Sequence, residues 1–223
     1  SVAAHGSAAA GDAPEKPERT MLGELELVSL HAGSYAIDGG ALFGTTPKDR
    51  WSTRVPCDER NRVNLALRPL LVRGVRTLLI DAGLGEGDDL ERSLAAAGVR
   101  LDQIDLVLAT HLHVDHAGGF TVRLAQGRVV PRFPRARYVV RRGEWETARA
   151  AGERGSYRDH AFIPLMEAGV LELVDDDLTI MPGVRVRRTG GHTMHHQVVW
   201  IESAGHAAVY AGDLVPTRHH VAP

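Results

Sequence analysis

Residues 109–119 read ATHLHVDHAGG, and the fold can be argued outward from them. The run leading in, IDLVLAT (104–110), is short and nearly continuously apolar, as a strand buried on both faces is. His111, His113, Asp115 and His116 then fall within six residues at a strand-to-helix turn. While the backbone stays extended, alternate positions 111, 113 and 115 project the same way. The adjacent Asp115 and His116 then point to different sides, so one short loop can offer donors to two neighbouring ions. Imidazole nitrogen and carboxylate oxygen suit zinc and similar divalent metals. Gly118 and Gly119 let the backbone turn close to the site into a helix expected from about Ala117. One histidine here would read as a solvated loop residue. Four donors in this pattern after a buried strand read as a metal-binding turn.

On the N-terminal side, GELELVSLHAG (23–33) alternates apolar and polar residues, which predicts a half-buried strand. NLALRPLLVRG (64–74) and VRTLLIDAG (75–83) predict two further strands separated by a glycine turn. DDLERSLAAAG (88–98) has an acidic start, helical apolar spacing and a terminal glycine, so a helix is expected. Past the motif a strand is expected at ARYVV (136–140), then helices around EWETARAA (144–151) and HAFIPLMEAG (160–169). The remainder returns to strands: LELVDD (171–176), VRVRRTG (184–190), HQVVWIES (196–203) and AAVYAGD (207–213). Strands and helices in this order predict an α/β domain with sheets covered by helices. There is no internal repeat and no linker rich enough to split the chain, so residues 21–223 are expected to form one domain. Residues 1–20, small, polar and without apolar periodicity, read as a disordered tail.

Composition narrows the function classes. The 223 residues carry a formal net charge of −2, which gives no electrostatic case for a nucleic-acid or anionic-membrane partner. No apolar run approaches the roughly 18 residues of a spanning helix. Cys57, the one cysteine, cannot form an internal disulfide and reads as structural. The start carries no basic segment followed by an apolar core, so a cytoplasmic location is the expectation, with an exported form whose signal has been removed as the alternative. GLGEGDD (83–89) has the look of a dinucleotide loop, but its third glycine falls one position early and Asp88 and Asp89 would repel a pyrophosphate. No G-x-S-x-G elbow occurs, which argues against a serine hydrolase. Twelve histidines are the unusual feature, since His is widely used for metals and proton transfer.

Two later segments fit as further donors. GGHTMHH (190–196) follows a strand, and its paired glycines permit a sharp turn presenting His192. AAVYAGD ends a strand at Asp213, where a carboxylate could bridge two ions. Alone, a strand-terminal Asp more often caps a turn; beside the first motif it reads as a ligand. Asp81, ending TLLID, is expected to orient a ligand by hydrogen bonding, with a turn cap as the alternative. His195 is expected to face solvent, and His196 to pack or support the site rather than ligate.

THLHVDHAGG (110–119), GGHT (190–193) and AGD (211–213) together resemble the metallo-β-lactamase superfamily of metallohydrolases. DGGALFGTTPKDRW (38–51), CDERNRVNLALRPLLV (57–72) and GDLVPTRHH (212–220) resemble its quorum-quenching lactonase-like subgroup. The resemblance implies an αββα sandwich, here lacking its C-terminal portion, with ions at one edge. It implies His111, His113 and His192 on one ion, Asp115 and His116 on the second, and Asp213 bridging. Relatives supply a last histidine to the second ion from beyond this sequence, so one tight site and one partial site are expected. Zn2+ is the implied metal, with Mn2+, Co2+ or Fe2+ as alternatives. A metal-bound hydroxide would open an ester or lactone of a small molecule, N-acyl homoserine lactone being the subgroup's substrate, with Asp115 and Asp213 holding that hydroxide and able to take its proton. His220 matches a subgroup histidine with a catalytic or substrate role; a polar loop end is its alternative. Pro216 departs from the better-known lactonases, which carry tyrosine three residues after the bridging Asp. A phosphotriester or aryl-ester hydrolase and a mononuclear iron dioxygenase are the other readings, and both monomer and dimer remain open.

Overall fold

The computed structural model describes residues 17–221. The first strand, β1 (Glu18–Leu22), already pairs antiparallel with β2 (Leu25–Ser29). The expected tail therefore lies outside the described residues up to position 16, and its last residues are strand. A polar segment can hold such an edge position because pairing satisfies its backbone while its side chains stay in water. Arg19 also donates to Glu26 on β2 at 2.7 Å.

A small excursion follows: β3 (Ser34–Asp38), α1 (Gly39–Phe43), α2 (Lys48–Trp51) and β4 (Arg62–Ala66). Strands β3 and β4 pair only with each other, over a satellite core of Trp51, Val55 and Val63. The single strand expected over 64–74 is thus two strands in different sheets. Pro69 explains the break: it has no N–H for a ladder and restricts Arg68 before it.

The main body runs β5 (Leu70–Arg73), β6 (Thr77–Ile80), α3 (Asp89–Ala96), β7 (Leu106–Leu108) and α4 (Val114–Ala117). It continues through β8 (Thr121–Arg123), β9 (Val129–Pro131), β10 (Arg137–Arg141), α5 (Arg142–Ala151), α6 (Asp159–Glu167) and β11 (Leu171–Val174). The last stretch is an antiparallel meander, β12 (Thr179–Met181), β13 (Val184–Arg188), β14 (Gln197–Ser203) and β15 (His206–Tyr210). One sheet has the order β1-β2-β5-β6-β7-β10-β11, and the meander forms the second. From β6 to β11 the first sheet is parallel.

Period-two alternation divides the first sheet between two cores. Leu71, Leu79, Val107, Tyr138 and Val140 pack against Leu94, Trp145 and Phe162 from α3, α5 and α6. Their neighbours Val72, Leu78, Ile80, Leu106, Leu108 and Val139 pack instead against Met181, Val184, Val186, Val199 and Ile201 of the second sheet. Helices over a sheet packed on a second sheet bear out the α/β sandwich. The nearly continuous apolar runs of β6 and β7 have this cause: both faces are buried. No helix among the described residues is long and apolar enough to cross a membrane.

Candidate metal centre

Parallel strands bring their carboxyl ends to one edge, where α/β sheets commonly bind ligands. Asp81 lies directly beyond β6, and Thr110 and His111 lie just beyond β7. His113 stays extended (φ −62°, ψ 147°) and caps α4, so Asp115 and His116 belong to a helical turn rather than to an extended loop. The two do not point apart: Asp115 Oδ2 is 3.7 Å from His116 Nε2. Gly118 and Gly119 serve close packing more than turning, since a Cβ on each would lie 2.1 Å and 2.2 Å from the carbonyl oxygens of Leu84 and Ala82. From the second sheet, the β13–β14 loop contributes His192 through Gly190 (φ 62°) and Gly191 (φ 89°), and Asp213 follows β15 in a tight turn.

Two donor groups result, His111–His113–His192 and His111–His116–Asp213, each with its ligand atoms within 4.8 Å of one another. His192 Nε2 is 2.9 Å from His113 Nδ1. Asp213 faces both groups: Oδ2 lies 3.2 Å from His192 Nε2 and 4.0 Å from His111 Nε2, while Oδ1 lies 3.0 Å from His116 Nε2. Asp81 accepts from the Thr110 N–H and hydroxyl, both at 2.8 Å, and sits 2.7 Å from His116 Nδ1.

Burial, followed by the crowding of neighbouring imidazoles, pushes the His111 ring well below the usual histidine range. The same causes hold His113 at about 4, burial first and then His192, against the pull of Asp115. For His116 burial opposes protonation, but the carboxylates of Asp81, Asp213 and Asp115 outweigh it and the ring is raised well above its ordinary value. Burial would raise Asp213; its hydrogen bond to His116 and nearby imidazoles hold it instead at about 2.

The sequence profile of the metallo-β-lactamase superfamily matches residues 70–222. This chain belongs to the metallo-β-lactamase superfamily. A probable metal-dependent hydrolase from Staphylococcus aureus superposes with a TM-score of 0.80 at 32% identity, covering 89% of this chain and 76% of that one. The dizinc quorum-quenching lactonase AidC, in complex with a product N-hexanoyl-L-homoserine, shares the fold with a TM-score of 0.73 at 23% identity, over 92% of this chain and 76% of AidC. An N-acyl homoserine lactonase of Bacillus thuringiensis is 29% identical over 118 residues, which are 53% of this chain and 41% of the relative. The chain thus spans about two fifths of the curated relatives it matches.

Metallo-β-lactamase proteins imply divalent metal, and the donors present fit one. His111 Nε2 is fully buried and has no hydrogen-bond partner among the described residues, although it faces the other donors. Its Nδ1 contacts the Thr110 hydroxyl at 3.1 Å, which leaves Nε2 as the nitrogen turned to the cluster. Uncharged imidazoles and ionised carboxylates are the forms that ligate.

Of the expected residues, His111, His113, Asp115, His116, His192 and Asp213 all come together. His220 does not join them: its Nδ1 contacts Thr217 Oγ1 at 2.9 Å, its Nε2 contacts the Leu42 carbonyl at 3.1 Å, and its ring stacks on Phe43. His195 is only partly exposed, its ring lying over Gly143 at the start of α5, so it does not simply face solvent. His196 is buried, with Nδ1 on Thr189 Oγ1 at 2.8 Å, and belongs to neither donor group. Other contributors carried no short-range signature. Glu144 on α5, 1% exposed, accepts from the Leu112 N–H and the Tyr157 hydroxyl at 3.1 Å each and from the Thr193 hydroxyl at 2.7 Å. It thereby ties both histidine loops to one helix. The Tyr157 ring packs edge-on against His113. Tyr35 on β3 donates to Asp115 Oδ2 at 2.9 Å.

Proposed function

We propose that this chain is the metal-holding part of a hydrolase that opens an ester or lactone of a small molecule. Zinc best suits the nitrogen-rich donor set, and N-acyl homoserine lactones are the leading substrate class. The observation that carries this reading is the convergence of two histidine groups on the Asp213 carboxylate, beside a cavity of about 460 Å3 lined by Asp115, His116, His192 and Asp213. His111, His113 and His192 would hold one ion and Asp115 and His116 the second, with Asp213 offering one oxygen to each group. When bound, such ions bring the pKa of a water near neutrality and polarise a carbonyl oxygen.

The remaining work falls to the chain itself. Asp115 and Asp213 border the cavity and can accept a proton and return it to the leaving oxygen. Asp81 fixes the His116 ring and leaves Nε2 turned toward Asp213. Ile37, Leu42, Leu65 and Val215 form an apolar wall beside this polar floor, which suits an acyl group next to the reacting bond. His220 braces α1 at the rim through Leu42. No acyl-enzyme is required, so the missing serine elbow is no obstacle. The lactonases at 29% identity support the lactone among possible esters.

The test is a hydrolysis panel of N-acyl homoserine lactones, aryl esters and phosphotriesters, with and without a chelator. Lactone or ester hydrolysis should disappear on chelation and return with zinc, manganese or cobalt. His111→Ala should lower kcat/KM by at least about 100-fold, the scale expected when a catalytic ion is lost. Full hydrolysis by demetallated protein, or an active and fully metallated His111→Ala variant, overturns the reading.

A further inference from the structure

Tyr35 belongs to neither main sheet. It stands on β3, in the excursion that carries its own small core. Along β3 exposure alternates, and Tyr35 and Ile37 share the less exposed face, which lines the cavity. The Tyr35 ring packs against the main core beneath the helices, with Leu65 as its cross-strand partner. Its hydroxyl ends 2.9 Å from Asp115 Oδ2, the same oxygen that lies 3.7 Å from His116 Nε2. Facing a carboxylate, which offers only acceptor oxygens, the phenol is the donor of this pair. One side chain thus fastens the excursion to the body and meets a carboxylate that stands beside the His116–Asp213 pair.

We infer that Tyr35 is a positioning residue for Asp115: its hydroxyl holds the carboxylate in the rotamer that serves the His116–Asp213 side of the centre. This rests on the proposed role of Asp115 as a ligand. A carboxylate on a four-residue helix can otherwise swing about χ1 and χ2 into the open cavity, and a directed hydrogen bond removes that freedom. Among the described residues no hydrogen bond or ring contact joins Tyr35 to His111, His113 or His192, so that group should be indifferent to it. An anchor with a merely structural role would change stability and leave both groups alike.

The experiment is a double-mutant cycle with Tyr35→Phe and Asp115→Ala, each protein titrated with Zn2+ alone against a chromophoric chelator. Thermal unfolding of the metal-free forms is recorded in parallel. Tyr35→Phe keeps the ring, so the fold should survive. It should weaken the looser Zn2+ site by about 10- to 100-fold, the usual effect of losing a ligand's supporting partner, and leave the tighter site within about two-fold. In the Asp115→Ala background the same change should have no further effect. Equal weakening of both sites, an undiminished effect without Asp115, or an unchanged isotherm for Tyr35→Phe alone overturns the inference. If Asp115→Ala itself leaves Zn2+ binding intact, the role of Asp115 falls as well, and the two failures are told apart by that single variant.

Discussion

Asp81 adopts a positive φ of 57°, one of three such non-glycine residues among those described, and it is 2% exposed. A left-handed backbone at an L-residue costs about 1–2 kcal/mol, and Asp and Asn tolerate it best. The conformation aims one carboxylate at the Thr110 backbone, the Thr110 hydroxyl and His116 together. Asp81→Asn should keep the backbone and the size but replace an oxygen facing His116 or Thr110 with an amide. We expect an unchanged far-UV spectrum and zinc affinity lowered by about 10- to 100-fold in a chelator competition. Unchanged affinity would show that Asp81 merely caps its turn. Asp81→Ala strips all these partners and should also lower the thermal midpoint, because buried donors left unmade cost about 1–3 kcal/mol each.

Helix α5 acts as a clamp on the centre through its buried Glu144. Three donors from separate segments, Leu112, Tyr157 and Thr193, end on this one carboxylate. Leu112 lies between two donor histidines and Thr193 directly follows a third, so the helix sets the spacing of the loops. Glu144→Ala leaves the three donors buried without an acceptor and should destabilise the chain by several kcal/mol, at about 1–3 kcal/mol per group. Thr193→Val removes one donor and should cost less. Thermal unfolding gives the order of the two variants, and amide exchange at Leu112 reports whether that loop loosens. A Glu144→Ala protein as stable as the parent, with Leu112 still protected, contradicts the clamp.

At the scale of the whole molecule the centre makes stability depend on pH. Burial, ahead of every other cause, holds His111 and His113 uncharged, and it does the same to His196, whose value falls to about 4. In the unfolded chain these rings protonate near the ordinary value of about 6.5. Between about pH 6.5 and 4 the unfolded state therefore binds more protons, and stability falls as pH falls. His116 has the opposite sign: its raised folded value stabilises fully below the unfolded value and is lost only as pH rises through the folded one. It cannot offset the other three in this window, and Asp213, at about 2, matters only at lower pH. Metal-free protein scanned from pH 7 to pH 5 should show a steadily falling thermal midpoint, each neutral histidine contributing up to about 1.4 kcal/mol per pH unit. Zinc at pH 7 should raise the midpoint and release protons on binding, since ligating nitrogens must be deprotonated. A flat metal-free profile would mean that these rings are not held neutral.

Short-range pattern determined much of this protein. The His111–His116 turn is legible because its donors are contiguous and follow a run whose apolar character reports burial on both faces. Strands β6, β7, β10, β13 and β14 and helices α3, α5 and α6 are legible because each buries a face whose period is local. Pro69 already marks where one expected strand divides. What only the tertiary structure decided depends on encounters between distant segments. β1 is polar and becomes a strand through its neighbour β2. Asp115 and His116 face one cavity because α4 begins at Val114, one residue too early for an extended reading. His220 is fixed against α1 by Thr217, Leu42 and Phe43. Tyr35, Glu144 and Tyr157 each look like an ordinary strand, helix or loop residue until the chain closes, because one hydrogen bond across the sequence leaves no periodicity to read. Apolar burial is a property of many neighbours and is therefore written along the chain; the aim of a single polar atom is set by the partner it finds.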